Sequence, residues 1–155
     1  MTPAVAMAKR AGIDFKIHQY EHDPAHDSYG MEASEKLSLD PARVFKTLVV
    51  SLDHQALAVA VIPVSSRLDM KSIARLFSHK KAVMADAAEV QRATGYIVGG
   101  ISPLGQKRRL PSAVDLSARN FNTIFVSAGR RGLELELSAD DLARLLDANF
   151  EAIAK

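Results

Sequence analysis

Two long apolar segments, separated by only three residues, constrain the fold of this 155-residue chain more than any other feature. Residues 45–52 and 56–63 are rich in Val, Leu and Ala, and Asp53-His54-Gln55 lies between them. Two apolar segments of strand length with a short polar connection are typical of a β-hairpin. Because so few positions in either segment are polar, we expect both strands of this hairpin to be buried.

Capping residues and alternating patterns predict further helices and strands on both sides of the hairpin. Helices are expected at 3–11, 29–37, 70–78, 87–94 and from Ser138 onward, and strands at 15–20, 82–84, 112–116, 122–128 and 133–137. The two kinds of element mix without a regular strand–helix–strand alternation. We therefore expect an α+β fold with a mixed, barrel-like β-sheet surrounded by helices. The length favours a single domain over residues 1–155.

The composition argues against several kinds of protein and site. There is no cysteine, which excludes a disulfide framework, a thiolate nucleophile and a thiolate metal site. No apolar segment approaches the roughly 20 residues that a membrane-spanning helix needs. The first ten residues lack the apolar core of a signal peptide. These observations favour a cytoplasmic protein without a membrane partner.

The segment from Gly95 to Pro111 predicts a binding loop. Adjacent glycines, Gly99 and Gly100, let the backbone come close to a ligand because no Cβ stands in the way. Pro103 then restricts the backbone of the turn. The pattern favours a site in which backbone amides hold a small polar group beside an anion. An ordinary turn between strands is the alternative.

Positive charge is concentrated beside predicted loops. The net charge of +2 is modest, but the segment from Glu134 to Asp147 is acidic, so one face of the protein is available to a polyanion. Solvated surface cations are the alternative. The candidate nucleic-acid-binding residues are Lys80, Lys81, Lys107, Arg108, Arg109, Arg130 and Arg131.

Lys46 is the most distinctive single residue. It lies between Phe45 and Thr47 at the start of an otherwise apolar predicted strand. A lysine there must either extend its stem to solvent or project its ammonium into a cleft. Both interpretations remain open from the pattern alone.

Other catalytic chemistries receive little support. His18, His22 and His26 could supply three metal ligands, but Pro24 prevents a regular helix between the last two. No phosphate-binding or dinucleotide-binding glycine motif occurs. The residue after Ser102 is a proline, which removes the amide that a nucleophilic serine would use. We expect no metal and no cofactor.

Several motifs occur in a fixed order along the chain. They are Thr2-Pro-Ala-Val5, Tyr20-Glu-His-Asp-Pro24, Phe45-Lys-Thr-Leu48, Thr94-Gly-Tyr96, Val98-Gly-Gly-Ile-Ser-Pro-Leu-Gly-Gln-Lys107, Arg109-Leu-Pro111 and Arg131-Gly-Leu133. In this order and spacing they resemble the YbaK/EbsC family of aminoacyl-tRNA deacylases, which is related to the editing domain of prolyl-tRNA synthetase. The resemblance covers essentially the whole chain.

The resemblance implies an enzyme that removes cysteine from mischarged Cys-tRNA(Pro) in trans, with Cys-tRNA(Cys) as an open second substrate. It implies prolyl-tRNA synthetase as a partner that selects the tRNA. It also implies that the cysteine thiol attacks its own ester, so that the protein needs no nucleophile of its own. Two alternatives stay open: removal of another small residue, as from Ala-tRNA(Pro), and a non-catalytic module that binds tRNA or synthetase. A metal-dependent hydrolase built on the three histidines is a third.

The resemblance also assigns residues. Lys46 matches the essential lysine of the family, and the amides of Gly99 and Gly100 would stabilise the oxyanion. One position departs from the family pattern, since Glu134 stands where the nearest relatives have Asp. The residues implied to bind the substrate are Tyr20, Tyr29, Thr47, Ile101, Ser102, Pro103, Ser127 and Glu134.

Overall fold

We describe the protein from a computed structural model that covers residues 1–155. The five helices are α1 (Pro3–Ala11), α2 (Tyr29–Lys36), α3 (Met70–Leu76), α4 (Ala87–Thr94) and α5 (Ala139–Leu146). The eight strands are β1 (Phe15–Gln19), β2 (Phe45–Leu52), β3 (Ala56–Pro63), β4 (Ala82–Met84), β5 (Ser112–Asp115), β6 (Ile124–Arg130), β7 (Leu133–Leu137) and β8 (Asn149–Glu151). A 3-10 helix, Leu116–Asn120, follows β5.

The helices begin where capping side chains satisfy the first free amides. Thr2 Oγ1 accepts from the amide of Val5 at 3.2 Å, and Pro3 occupies the first helical position. Ser138 Oγ accepts from the amide of Asp141 at 3.0 Å in the same way. These two starts agree with the capping patterns in the sequence.

The strands form two sheets. A five-stranded sheet has the order β4-β2-β3-β5-β8, and a three-stranded sheet has the order β1-β7-β6. The larger sheet is mixed, because β3 pairs with β5 and β5 with β8 in parallel while the other pairs are antiparallel. The sheets meet at a bridge between Val44 and Phe125.

The predicted hairpin forms the centre of the larger sheet. Its strand β3 is buried on both faces, which explains its continuous apolar sequence. Leu57, Val59 and Val61 join a core shared with the smaller sheet, α1, α4 and α5. Ala58 and Ile62 face the opposite core, against α3.

The expected α+β class is confirmed, but the barrel-like description needs correction. The strands do not close into a barrel, because the two sheets are joined only by the short bridge at Val44 and Phe125. The predicted strand 112–116 ends one residue early and turns into the 3-10 helix. Strand β8 has no counterpart among the predicted elements. No helix of the structure has the length and apolar character to cross a bilayer.

Candidate active site

A cleft of about 540 Å³ lies where β2 of the larger sheet approaches β6 and β7 of the smaller sheet. The start of α2 and the loop after α4 complete its walls. Ten of the residues singled out in the sequence line it. They are Tyr20, Tyr29, Lys46, Thr47, Gly99, Ile101, Ser127, Arg130, Arg131 and Glu134.

Two buried oxygens in this cleft have no partner. Thr47 Oγ1 and Glu134 Oε2 are both inaccessible to solvent and make no hydrogen bond within the protein. Glu134 stands directly opposite Ser127 in the β6–β7 ladder, so the strand register places their side chains together. Because a buried polar atom without a partner is costly, these two atoms mark the part of the cleft wall where the protein itself leaves hydrogen-bonding capacity unused.

Burial controls the protonation of the side chains at this point. Glu134 is only 6% exposed, and desolvation raises its pKa to about 8. Burial and the proximity of Glu134 raise the pKa of Tyr20 to about 12. At neutral pH both groups are therefore uncharged and able to donate a hydrogen bond.

Lys46 is half-buried in the same cleft and belongs to none of the salt bridges of the structure. Desolvation is the main cause that lowers its pKa, and the positive charge of Arg67 adds to the effect. Arg67 was not among the sequence-predicted residues. It follows β3 as a single cation, and only the folded chain places it near Lys46.

The glycine loop enters the cleft through Gly99 and Ile101. Gly99 has φ +97°, a conformation that glycine adopts readily. The buried hydroxyl of Tyr96 donates to the carbonyl of Leu104 at 2.6 Å and fixes the rest of the loop. The amide of Gly100 donates to the carbonyl of Ile97 at 2.9 Å, so it is already occupied.

Three loop residues of the predicted site lie outside the cleft. Gly100 packs against the backbone of Arg130, where a Cβ would come within 2.8 Å of the Arg130 Cα. Ser102 is fully buried, and its Oγ accepts from the Leu104 amide at 3.2 Å. Pro103 lines a separate groove of about 310 Å³ beside α1 and α5. These residues shape the loop from behind.

The predicted basic residues fall into separate places. Arg130 and Arg131 lie at the cleft, whereas Arg108 and Arg109 line the groove beside α1 and α5. The stem of Lys107 packs over Gly95. Two further cations, Lys80 and Lys81, precede β4, and their amides donate to the carboxylate of Asp53 at 3.1 and 2.9 Å.

The three histidines considered as metal ligands do not converge. Each contacts a different glutamate: His18 Nε2 lies 2.8 Å from Glu136, His22 Nδ1 lies 2.7 Å from Glu32, and His26 Nε2 lies 3.1 Å from Glu35. The structure contains no cluster of three or more His, Cys, Asp or Glu side chains arranged to hold a metal ion.

Sequence comparison identifies relatives along most of the chain. Residues 22–145 match the family described as aminoacyl-tRNA editing domain. The chain is 34% identical over 152 residues to EbsC of Enterococcus faecalis, named as a candidate Cys-tRNA(Pro)/Cys-tRNA(Cys) deacylase; the match covers 98% of this chain and 92% of EbsC. It is 27% identical to the uncharacterised protein YwhH of Bacillus subtilis, over 72% of this chain and 71% of YwhH.

Solved structures show the same fold at low sequence identity. The hypothetical protein APE2540 superimposes with a TM-score of 0.88 and 24% identity, covering 99% of this chain and 100% of that one. A candidate trans-editing enzyme for prolyl tRNA synthetase superimposes with a TM-score of 0.85 and 18% identity, covering 100% and 99%. These similarities support the arrangement of the two sheets described above.

Proposed function

Since the chain belongs to the aminoacyl-tRNA editing domain family, an enzyme class that acts on aminoacyl-tRNA, we propose that it removes cysteine from Cys-tRNA(Pro) in trans. The observation that carries this proposal is one cleft that holds Lys46, the positive-φ Gly99 and two buried oxygens without partners. Cys-tRNA(Cys) is the second substrate to test, because EbsC is named for both.

The proposed chemistry takes its nucleophile from the substrate. The cysteine thiol loses its proton to water, and its sulfur attacks the carbonyl carbon of its own ester. As the carbon–sulfur bond forms, the carbonyl electrons move onto the carbonyl oxygen and give a tetrahedral oxyanion. When this oxyanion re-forms the carbonyl, the bond to the ribose oxygen breaks, and that oxygen takes a proton and leaves as free tRNA. Water then opens the released thiolactone. Holding the two reacting groups together contributes up to roughly 7–11 kcal/mol in favourable cases.

The residues of the cleft supply position and charge in this scheme. Gly99 and Ile101 line the cleft, and their amides make no hydrogen bond within the protein, so we assign these amides to the developing oxyanion. Lys46 adds positive potential and binds the ribose or phosphate of the terminal nucleotide. The neutral carboxyl of Glu134 and the hydroxyl of Thr47 hold the amino-acid portion.

The substrate also determines the partners that we propose. The arginines at the cleft bind the phosphates of the acceptor end by charge, without reading bases. Prolyl-tRNA synthetase selects the tRNA while this protein selects the amino acid. Because charged tRNA and prolyl-tRNA synthetase are found in the cytoplasm, we propose that the reaction takes place there.

The proposal is tested by measuring deacylation of tRNA(Pro) charged with cysteine, alanine, serine or proline, with and without prolyl-tRNA synthetase. Rapid release of cysteine and slow release of serine is the expected result, because a hydroxyl is a much weaker nucleophile than a thiol. Equal release of both would refute attack by the substrate's own thiol. Fastest release of alanine would reassign the substrate, and no release from any tRNA would leave only a binding module. A parallel reaction with chelator should proceed at the same rate.

A further inference from the structure

The side chain of Arg131 crosses the mouth of the cleft. Its Cζ lies 3.7 Å from the centroid of the Tyr29 ring, so the guanidinium stacks on the aromatic face. Its Nη2 donates to the carbonyl of Val98 at 3.4 Å. Its Nη1 lies 3.3 Å from Nε2 of His22. One side chain therefore connects the β6–β7 turn to the glycine loop, to α2 and to the segment before α2.

The glycine loop is shaped to receive this guanidinium. A Cβ at Gly99 would fall 2.4 Å from Nε of Arg131 and 2.9 Å from the Tyr29 ring. A glycine at position 99 therefore leaves room for Arg131 and Tyr29 to pack closely on the loop. Arg131 remains exposed to solvent, but its stacking on Tyr29 and its contacts with Val98 and His22 hold the guanidinium in one place.

His22 is itself held from behind by a fully buried carboxylate. Glu32 is 0% exposed, and its Oε1 lies 2.7 Å from Nδ1 of His22. Its Oε2 accepts from the amide of Asp23 at 2.8 Å and lies 3.3 Å from Nζ of Lys36. Burial alone would raise the pKa of Glu32, but the hydrogen bonds from His22, Asp23 and Lys36 outweigh it and lower the pKa.

The charge on Glu32 determines which nitrogen of His22 carries the proton. A carboxylate can only accept hydrogen bonds, so Nδ1 of His22 must donate to it. In the neutral ring, Nε2 then keeps its lone pair and faces Arg131. His22 therefore accepts a hydrogen bond from Nη1 of Arg131.

We propose that His22 is a positioning residue, which holds Arg131 at the mouth of the cleft so that its guanidinium binds a phosphodiester at the 3′ end of the tRNA. This inference rests on the proposed function. Arg131 has no carboxylate partner, and its remaining N–H groups are available to an anion. A planar guanidinium fixed by stacking matches phosphate geometry well. His22 makes no contact with the RNA.

The test measures binding of an uncharged RNA oligonucleotide that ends in CCA, by fluorescence anisotropy at several salt concentrations. The variants are His22→Phe, Arg131→Gln and the double variant. Each single variant should weaken binding by about three- to tenfold and reduce the slope of log K against log salt by about 0.7. The double variant should bind like Arg131→Gln, because His22 acts only through Arg131.

A second histidine–glutamate pair gives a matched control. His26 Nε2 lies 3.1 Å from Glu35, one turn further along α2, and neither residue lines the cleft. His26→Phe should bind the oligonucleotide like the wild type. Equal losses in His26→Phe and His22→Phe would indicate a general effect on α2 and would overturn the inference.

The salt slope is the readout that a purely structural role would not change, because it reports how many phosphates the protein neutralises. His26→Phe should keep the slope of the wild type, and His22→Phe should show the slope of Arg131→Gln.

The variant His22→Phe leaves a buried carboxylate without its partner, so its folding must be checked by thermal denaturation. If it is unfolded, the double variant His22→Phe/Glu32→Gln removes the uncompensated charge and is used in its place. Unchanged binding in the folded variant, or additive losses with Arg131→Gln, would overturn the inference. If the wild type binds the oligonucleotide but does not deacylate the charged tRNA, the proposed function is refuted and the inference on His22 and Arg131 is not.

Discussion

Two parts of the cleft differ in whether their polar groups have partners. We call Lys46, Thr47 and Glu134 the floor, and Arg131 and His22 the rim. On the floor, Lys46 has no ion-pair partner, and Thr47 and Glu134 each bury an oxygen without a hydrogen bond. On the rim, Arg131 and His22 are linked to each other and to backbone or carboxylate acceptors.

In the function that we propose, this difference separates recognition of the amino acid from placement of the RNA. Buried groups without partners cost about 1–3 kcal/mol each, so the floor is less stable than an apolar one would be. A substrate that supplies the missing hydrogen bonds recovers that energy. The linked rim instead holds its cation in place before binding, which reduces the entropy lost when the RNA arrives.

Removal of the floor's ammonium is expected to have the largest effect. Lys46→Met should lower the rate of Cys-tRNA(Pro) deacylation by about 100-fold or more, because one preorganised positive group at a reacting centre is worth that much. The free energy of unfolding should not fall, since a half-buried ammonium without a partner contributes little to stability. Urea denaturation and initial deacylation rates measure the two quantities.

The matched variant for this prediction is Arg131→Met, on the rim. It should raise KM more than it lowers kcat, because the contact proposed for Arg131 is with the RNA and not with the reacting carbonyl. If Lys46→Met retained its activity, Lys46 would have no place in the proposed chemistry.

The buried carboxyl of Glu134 should make stability depend on pH. Its pKa is raised to about 8 in the folded protein, above its ordinary value of 4.5. Between these values the unfolded chain loses a proton that the folded protein keeps, so the free energy of unfolding falls as the pH rises. The fall attributable to Glu134 should be on the order of 3–5 kcal/mol and should end above about pH 8.

Glu134→Gln isolates this contribution. The amide stays neutral at every pH. The unfolding free energy of the wild type minus that of this variant should therefore fall as the pH rises from 5 to 8. Glu32 and Glu136, whose pKa values are lowered, give the opposite trend at acidic pH and cancel in the difference. A constant difference between pH 5 and pH 8 would show that Glu134 is not neutral in the folded protein.

The sequence singled out those cleft residues that differ from their immediate neighbours in the chain. Lys46 stood out as a cation in an apolar strand, and Gly99 as half of a glycine pair. The position of Ser127 beside Glu134 depends on the β6–β7 register, which shifts between Ser127 and Arg130. A register with such an irregularity cannot be read from alternation alone.

Arg131 on the rim and Tyr29, on which it stacks, were among the candidate site residues, but the role of His22 was missed. His22 was considered only as a metal ligand, because its carboxylate partner Glu32 lies on the next helix and its other partner, Arg131, lies 109 residues away. The barrel-like expectation failed for a related reason. Apolar alternation identifies strands, but it does not state how strands distant in sequence are divided between two sheets.

The smallest expected effect lies outside both floor and rim, at Lys80 and Lys81. They precede β4, and Ala82 of β4 pairs with Leu52 of β2. Leu52 lies six residues along β2 from Lys46, which is about 20 Å of strand. Only a long RNA spans that distance. The double variant Lys80→Gln/Lys81→Gln should weaken binding of full-length tRNA by about twofold at low salt and leave binding of the CCA oligonucleotide unchanged. An equal loss for the short RNA would mean that these lysines act at the cleft, and the separation of rim from outer surface would be wrong.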